Sequence, residues 1–300
     1  MTHSRTYGSS LVLISALIFG SYGVWSRLIG SAMGNFYQGW TRAFLILLVL
    51  VPIAYLRKEI VRIHPKDRFW MALFLLFTSL TQAPLFYAFN HMDIGTAQLL
   101  FYVSMLLTMN VIGVCTFDER MTKLKIISSL LAFIGMYLVF SFSLEAFTLF
   151  AALMAIVNGV ASGGEVAFSK KLTGNYSPLY VVLLSWAIIL PTNAVLSLGF
   201  GEIQIAPSLS IPWFWQLCYS AVSLAGFWLV IEGVKYIDAS IAALIGLMEV
   251  LFGILFGVVV FGERITPLII IGGICIISAA SLAPIASLVK NKRKTIFLPE

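Results

Sequence analysis

The chain has 300 residues, of which 60% are hydrophobic and 11% charged, with a formal net charge of +6; the mean hydropathy is +0.98. A soluble domain carries about 25% charged residues, so a water-soluble enzyme or binding module is excluded and a multi-pass membrane protein is expected. Cys115, Cys218 and Cys275 stand apart inside apolar runs, a pattern that gives neither a disulfide framework nor a metal signature.

Ten apolar segments follow one another, at roughly 8–29, 36–56, 69–90, 94–116, 123–141, 148–170, 178–199, 212–235, 239–261 and 266–287. Crossing the hydrocarbon core takes about 20 apolar residues as a helix. The runs are too long and too continuously apolar for barrel strands, so all ten are read as helices. The first run follows Arg5 and is longer than the core of a cleaved signal peptide. It also has a counterpart later in the chain, and is read as a retained helix. Short polar or Pro/Gly-containing links such as Arg57–Arg68 and Gly201–Pro212 connect the runs.

Charge placement tests the count. With a cytoplasmic N-terminus, one side of the membrane holds Arg5, the cluster from Arg57 to Arg68, Arg120, Lys123, Lys125, Lys170, Lys171, Lys235 and the tail basics from Lys290 to Lys294. The opposite side holds only Arg27 and Arg264, and Arg42 lies inside a segment. This is the positive-inside asymmetry. It predicts that both termini are cytoplasmic, and it accounts for the net charge without a nucleic-acid partner.

The segments repeat. Asp93-Ile94-Gly95-Thr96-Ala97 opens the fourth and Asp238-Ala239-Ser240 the ninth, an offset of 145; Glu119 maps to Glu263 at 144, as does Leu28 to Leu172. Two halves are expected, residues 1–143 with helices 1–5 and residues 144–300 with helices 6–10. Five is odd, so the halves insert with opposite topology. The expected fold is therefore all-α and integral to the membrane, with ten transmembrane helices as two inverted five-helix repeats. Inverted repeats are the usual architecture of alternating-access carriers, with the substrate site near the midplane between the halves.

The pattern resembles the drug/metabolite transporter superfamily, in particular its ten-helix EamA type. The resemblance rests on Phe19-Gly20, on Phe36 with Arg42-Ala43-Phe44, on the Asp93–Ala97 run with Asp118-Glu119, and on Leu247-Met248-Glu249 with Gly262-Glu263. It covers roughly residues 10–287. Phe19 stands where members of that family often have Trp, and Met105 and Val250 where they often have Pro. The resemblance implies a carrier for amino acids, amines, drugs or related metabolites, frequently an exporter.

Glu249 lies near the centre of the ninth segment. An intramembrane acid is costly and points to function; it would hold a substrate amine, carry a proton, or pack as a hydrogen-bonded acid. Glu165, behind Gly163 and Gly164, is either a second acid of the pathway or a partner of Lys170 or Lys171. Arg42 sits about 9 Å inside the second segment at about 1.5 Å per residue. It would clamp a substrate carboxylate or serve structure alone. Gln82 and Asn158 are the deepest amides, and Tyr22, Tyr102 and Trp186 the deep aromatics able to line a pocket for a flat or cationic substrate. Ordinary helix packing is the alternative for all five.

No P-loop or hydrolase motif is present, and neither a cofactor nor a metal is expected. The favoured reading is a secondary active transporter, exporting amino acids or related small organic metabolites and amines by alternating access, with protons as a candidate coupling ion. Alternatives are an importer or exchanger of a nucleotide-like or cofactor-like metabolite and, further off, an integral-membrane lipid enzyme. The expected partners are a small-molecule substrate and the lipid bilayer. The expected location is the plasma membrane, the inner membrane of a bacterium. The sequence leaves the oligomeric state open.

Overall fold

The computed structural model describes residues 2–92, 94–140, 149–262 and 264–296, and every regular element in them is helical. Asp93 and Glu263, two marks of the predicted repeat, lie outside the described residues, as do the side chains of the tail basics from Lys290 to Lys294. Thirteen α-helices are present among the described residues: α1 Thr2–Gly20, α2 Tyr22–Ile29, α3 Asn35–Leu56, α4 Arg68–Ser79, α5 Ala83–His91, α6 Ile94–Phe117, α7 Lys123–Phe140, α8 Leu149–Leu172, α9 Pro178–Gly199, α10 Ile211–Val234, α11 Ala239–Gly246, α12 Met248–Phe261 and α13 Pro267–Ile296.

Eight continuous or briefly broken helices among them are long and apolar enough to cross a membrane, including Ser4–Ile29 and Ala239–Phe261. The predicted segment at 69–90 is two shorter helices, α4 and α5. The one at 266–287 falls within α13, whose apolar part is Pro267–Leu282. Large apolar side chains such as Leu48, Tyr137, Val195 and Ile270 face outward, as expected where lipid is the solvent.

Three interruptions have local causes. Between α1 and α2, Ser21 N–H and its Oγ both donate to the Ile18 carbonyl, at 3.1 and 2.6 Å. That tightens the turn, and Trp25 Nε1 donates to Ser21 Oγ at 2.9 Å. Between α4 and α5, Pro84 enters the first turn of α5 and has no N–H to continue the ladder. Between α11 and α12 the break falls at Leu247, where Val250 N–H bonds back to the Leu247 carbonyl at 3.1 Å. The ninth predicted segment is thus broken without a proline, next to Gly246. Pro191 lies inside a continuous α9 and breaks nothing.

The packing has a repeating logic. Helix α3 packs on α9 and α7 on α13; α6 packs on α8 as α1 packs on α11 and α12; α4 and α5 pack on α8 as α1 does on α10. Small residues make the closest crossings. A Cβ at Gly159 would lie 2.2 Å from the Phe101 carbonyl oxygen, and one at Gly20 would lie 2.9 Å from the Glu249 carbonyl oxygen. Membrane helices associate through such close packing. Gly253 takes part in the same crossing, a Cβ there lying 3.6 Å from the Gly20 carbonyl oxygen.

Polar clamps close the helix ends. Past the end of α6, the Glu119 carboxylate accepts from Ala239 N–H at 2.7 Å and Ser240 Oγ at 2.8 Å, at the start of α11. It also pairs with Lys170 of α8 at 2.9 Å and Lys125 of α7 at 3.5 Å, while Lys125 reaches Asp238 at 2.8 Å. Burial pushes the Glu119 carboxyl up, but Lys170, the Ala239 amide and the Ser240 hydroxyl outweigh it and hold the group below the usual carboxylate range. At the other end of α9, the Glu202 carboxylate accepts from Phe36 N–H at 3.1 Å and Tyr37 N–H at 2.6 Å, capping α3.

Candidate functional site

A cavity of about 300 Å³ lies between the helices. It is bordered by all three interruptions: Tyr22 follows the first, Thr81 and Gln82 form the second, and Gly246 and Glu249 flank the third. Irregular backbone at membrane depth is tolerated where it lines such a cavity. A chain otherwise made of long apolar helices can therefore break in these places.

Six of the eight sequence candidates line it: Tyr22, Arg42, Gln82, Glu165, Trp186 and Glu249. Glu249 reaches it from the first turn of α12 and Glu165 from the small-residue face of α8. Arg42 reaches it from α3. Tyr102 stands behind the cavity and donates to Glu249 Oε1 at 3.1 Å, so it touches the site through the acid. Asn158 does not line the cavity. It is fully buried on the face of α8 that packs against α4 and α5, and its amide donates to the Leu80 carbonyl at 3.4 Å. There it ties down the break between those helices.

The pairing of Glu165 with a neighbouring lysine is not found. Lys170 goes to Glu119, and Lys171 lies over the Trp70 ring at 5.3 Å. Glu165 Oε1 has no hydrogen-bond partner among the described residues, and neither do Arg42 Nε, Gln82 Oε1 or Trp186 Nε1. Buried polar atoms are nearly always paired. Nine further buried side-chain atoms away from the cavity lining are unpaired as well among the described residues, so what distinguishes these four is that they border a space able to hold a ligand or water.

Arg42 is held by aromatics rather than by acids. Its guanidinium lies 4.2 Å from the Tyr219 ring centroid and 5.9 Å from that of Trp186. No carboxylate lies within ion-pair distance of it among the described residues. A ring face holds a cation without consuming its hydrogen-bond donors, which leaves the fork free for an anion. Tyr219, Phe19, Phe227, Thr81 and Ser162 also line the cavity and were missed from sequence. Tyr219 is one aromatic among many in an apolar run, and nothing local marks it as the platform under Arg42.

A second cavity of about 340 Å³ lies on the far side of Glu249. It shares Phe19, Tyr22 and Glu249 with the first and adds Arg27, Gln98 and Tyr102.

Comparison with known proteins agrees with this architecture. The chain is 26% identical over 284 residues to a protein of Archaeoglobus fulgidus described as an uncharacterized transporter, covering 92% of this chain and 96% of that one. A solved crystal structure at 16% identity superposes with a TM-score of 0.76, covering 93% of this chain and 98% of its own. That likeness concerns the fold alone. The model of the EamA-like transporter family matches residues 6–141 and again 149–283. The chain is a multi-pass membrane protein and belongs to the EamA-like transporter family.

Proposed function

We propose that the protein is a secondary active transporter that exports amino acids or related amine-bearing metabolites by alternating access, coupled to protons. The observation that carries this reading is one cavity holding an arginine with no carboxylate partner among the described residues, together with two acids, Glu165 and Glu249, between aromatic walls. A zwitterion answers that set: its carboxylate meets the Arg42 fork and its ammonium meets an acid. The volume sits at the lower end of the range of about 300–1,000 Å³ for small-molecule sites, which suits a single small metabolite. Phe19, Tyr22, Trp186 and Tyr219 favour an apolar or aromatic side chain on it.

The architecture belongs to the same proposal. Ten transmembrane helices, counting the α4–α5 pair and α13, form two inverted halves with both termini cytoplasmic in a bacterial inner membrane. The charge asymmetry of the loops, the double family match and the packing that maps onto itself at the repeat offset support this. The experiment is counterflow of labelled L-phenylalanine and a panel of other amino acids into vesicles containing the purified chain. Arg42→Lys and Glu249→Gln are each expected to abolish it. Full activity of both variants would remove the zwitterion reading.

A further inference from the structure

We infer that the second cavity is a hydrated proton path that reaches Glu249 separately from the substrate. The inference rests on the reading of Glu249 as the coupling acid.

The geometry is that of an acid in a partition. Glu249, with Phe19 and Tyr22, borders both cavities. From the acid the second cavity follows α12 to Phe261, about 18 Å at about 1.5 Å per residue. It ends near Arg27, whose guanidinium lies 4.9 Å over the Phe261 ring. This direction runs away from the Glu119 clamp, which closes the start of α11.

The lining suits water. A water needs roughly 10–15 Å³ of such space and two to four polar partners, and the cavity has about 340 Å³ with Gln98, Tyr102, Arg27 and Glu249 along it. Tyr102 Oη donates to Glu249 Oε1 at 3.1 Å from inside this second cavity, so the acid is oriented from the proton side and open to the substrate on the other. In one half of the cycle a hydronium arriving through the second cavity breaks an O–H bond and reverts to water as an O–H bond forms on the carboxylate. In the other half that bond breaks and the proton passes to water in the central cavity, and the carboxylate is free for the substrate ammonium.

The charged and titratable groups around Glu249 fit this division. On the path side stand Tyr102 of α6 and Arg27 of α2; Tyr22 of α2 borders both cavities; Arg42 of α3, Glu165 of α8 and Tyr219 of α10 are on the substrate side. Helix α11 has no ionisable residue, those of α1 fall at its start, and α13 offers no charge between Pro267 and Leu282.

Glycines supply the test. Gly23 lines only the second cavity and Gly246 only the first, and a Cβ at either meets nothing within 4 Å. Gly23→Leu therefore fills the path and Gly246→Leu the substrate cavity. Gly253→Val is a second plug of the path, since a Cβ there meets only the Gly20 carbonyl oxygen at 3.6 Å. The full chain in lipid vesicles is transferred to heavy water, and deuterium exchange of the Glu249 carboxyl is followed in the infrared, the band being assigned by its loss in Glu249→Gln. Gly23→Leu or Gly253→Val is expected to slow exchange by about tenfold, a barrier increase of about 1.4 kcal/mol, while Gly246→Leu, which narrows only the exit to the central cavity, slows it less than either path plug.

Equal rates in the wild type and both path plugs would overturn the inference and leave the second cavity as a groove for a lipid chain. Slowing by Gly246→Leu alone would overturn it in favour of a single shared route. If the wild type shows no carboxyl band at any pH that Glu249→Gln removes, Glu249 carries no proton and the path falls with it. Failure of L-phenylalanine counterflow with the infrared result intact would instead remove only the substrate reading.

Discussion

The Arg42 guanidinium rests 4.2 Å from the ring centroid of Tyr219, with the Trp186 centroid 5.9 Å away. A desolvated contact of this kind is worth about 2 kcal/mol. Tyr219→Leu is expected to weaken substrate affinity by about tenfold or more, since about 1.4 kcal/mol is tenfold in an equilibrium constant. Tyr219→Phe keeps the ring face and is expected to change affinity little. Arg42→Lys keeps the charge but loses the planar fork. Titration of purified protein with L-phenylalanine by calorimetry separates the three variants, and an unaltered affinity in Tyr219→Leu would show that the platform is only packing.

Glu119 holds together α6, α7, α8 and α11. Glu119→Gln leaves the partly buried amine of Lys170 without its counter-charge and leaves Lys125 with Asp238 alone; breaking a fully buried pair costs about 3–5 kcal/mol. The expected result is a large fall in melting temperature in detergent. Glu119→Gln combined with Lys170→Met is expected to recover part of it, and no recovery would mean that the α11 cap, rather than the ion pair, carries the stability.

The same carboxylate gives a pH dependence. Its folded-state value is held below the ordinary one by Lys170, the Ala239 amide and the Ser240 hydroxyl against the opposing effect of burial. An unfolded glutamate titrates near about 4.3. The stabilisation is complete above that pH and is lost as the pH falls through the lower folded value. Melting curves recorded into the acid range are expected to drop more steeply for the wild type than for Glu119→Gln, and parallel curves would remove Glu119 as the titrating group.

Gly159 faces the α6 backbone. A Cβ there would lie 2.2 Å from the Phe101 carbonyl oxygen, and backbone cannot step aside as a flexible side chain can. Gly159→Ala is expected to separate α6 from α8 and destabilise the protein by about 1–3 kcal/mol, the usual cost of overpacking. Gly199→Ala, at a helix end with nothing within 4 Å, is the matched control, and equal melting temperatures for the two variants would contradict the packing account.

Most helix ends were legible in the sequence because an apolar run must end where water begins. The predicted run at 178–199 and the helix Pro178–Gly199 coincide. Six cavity residues were also legible, because Glu249, Glu165 and Arg42 are expensive in lipid wherever they sit. What the sequence hid is where along one face the cavity opens: Asn158 and Glu165 lie about two turns apart on the same side of α8, yet one meets the Leu80 carbonyl at the α4–α5 break and the other the cavity. Tyr219 was hidden because its role lies in its distance to Arg42. No proline marks a break in the ninth segment, where Val250 stands, yet α11 ends at Gly246.

That short α11 has a mechanical meaning. It is a rigid rod of eight residues, about 12 Å long at about 1.5 Å per residue. Its first amides are gripped by Glu119, and its far end is the Leu247 pivot, two residues before Glu249. Under the proposed reading, a tilt that loosened the grip would re-aim the acid, and an acid drawn toward a bound ammonium would pull on the grip. Through this lever, what occupies the middle of the membrane and whether its edge is shut would become one event.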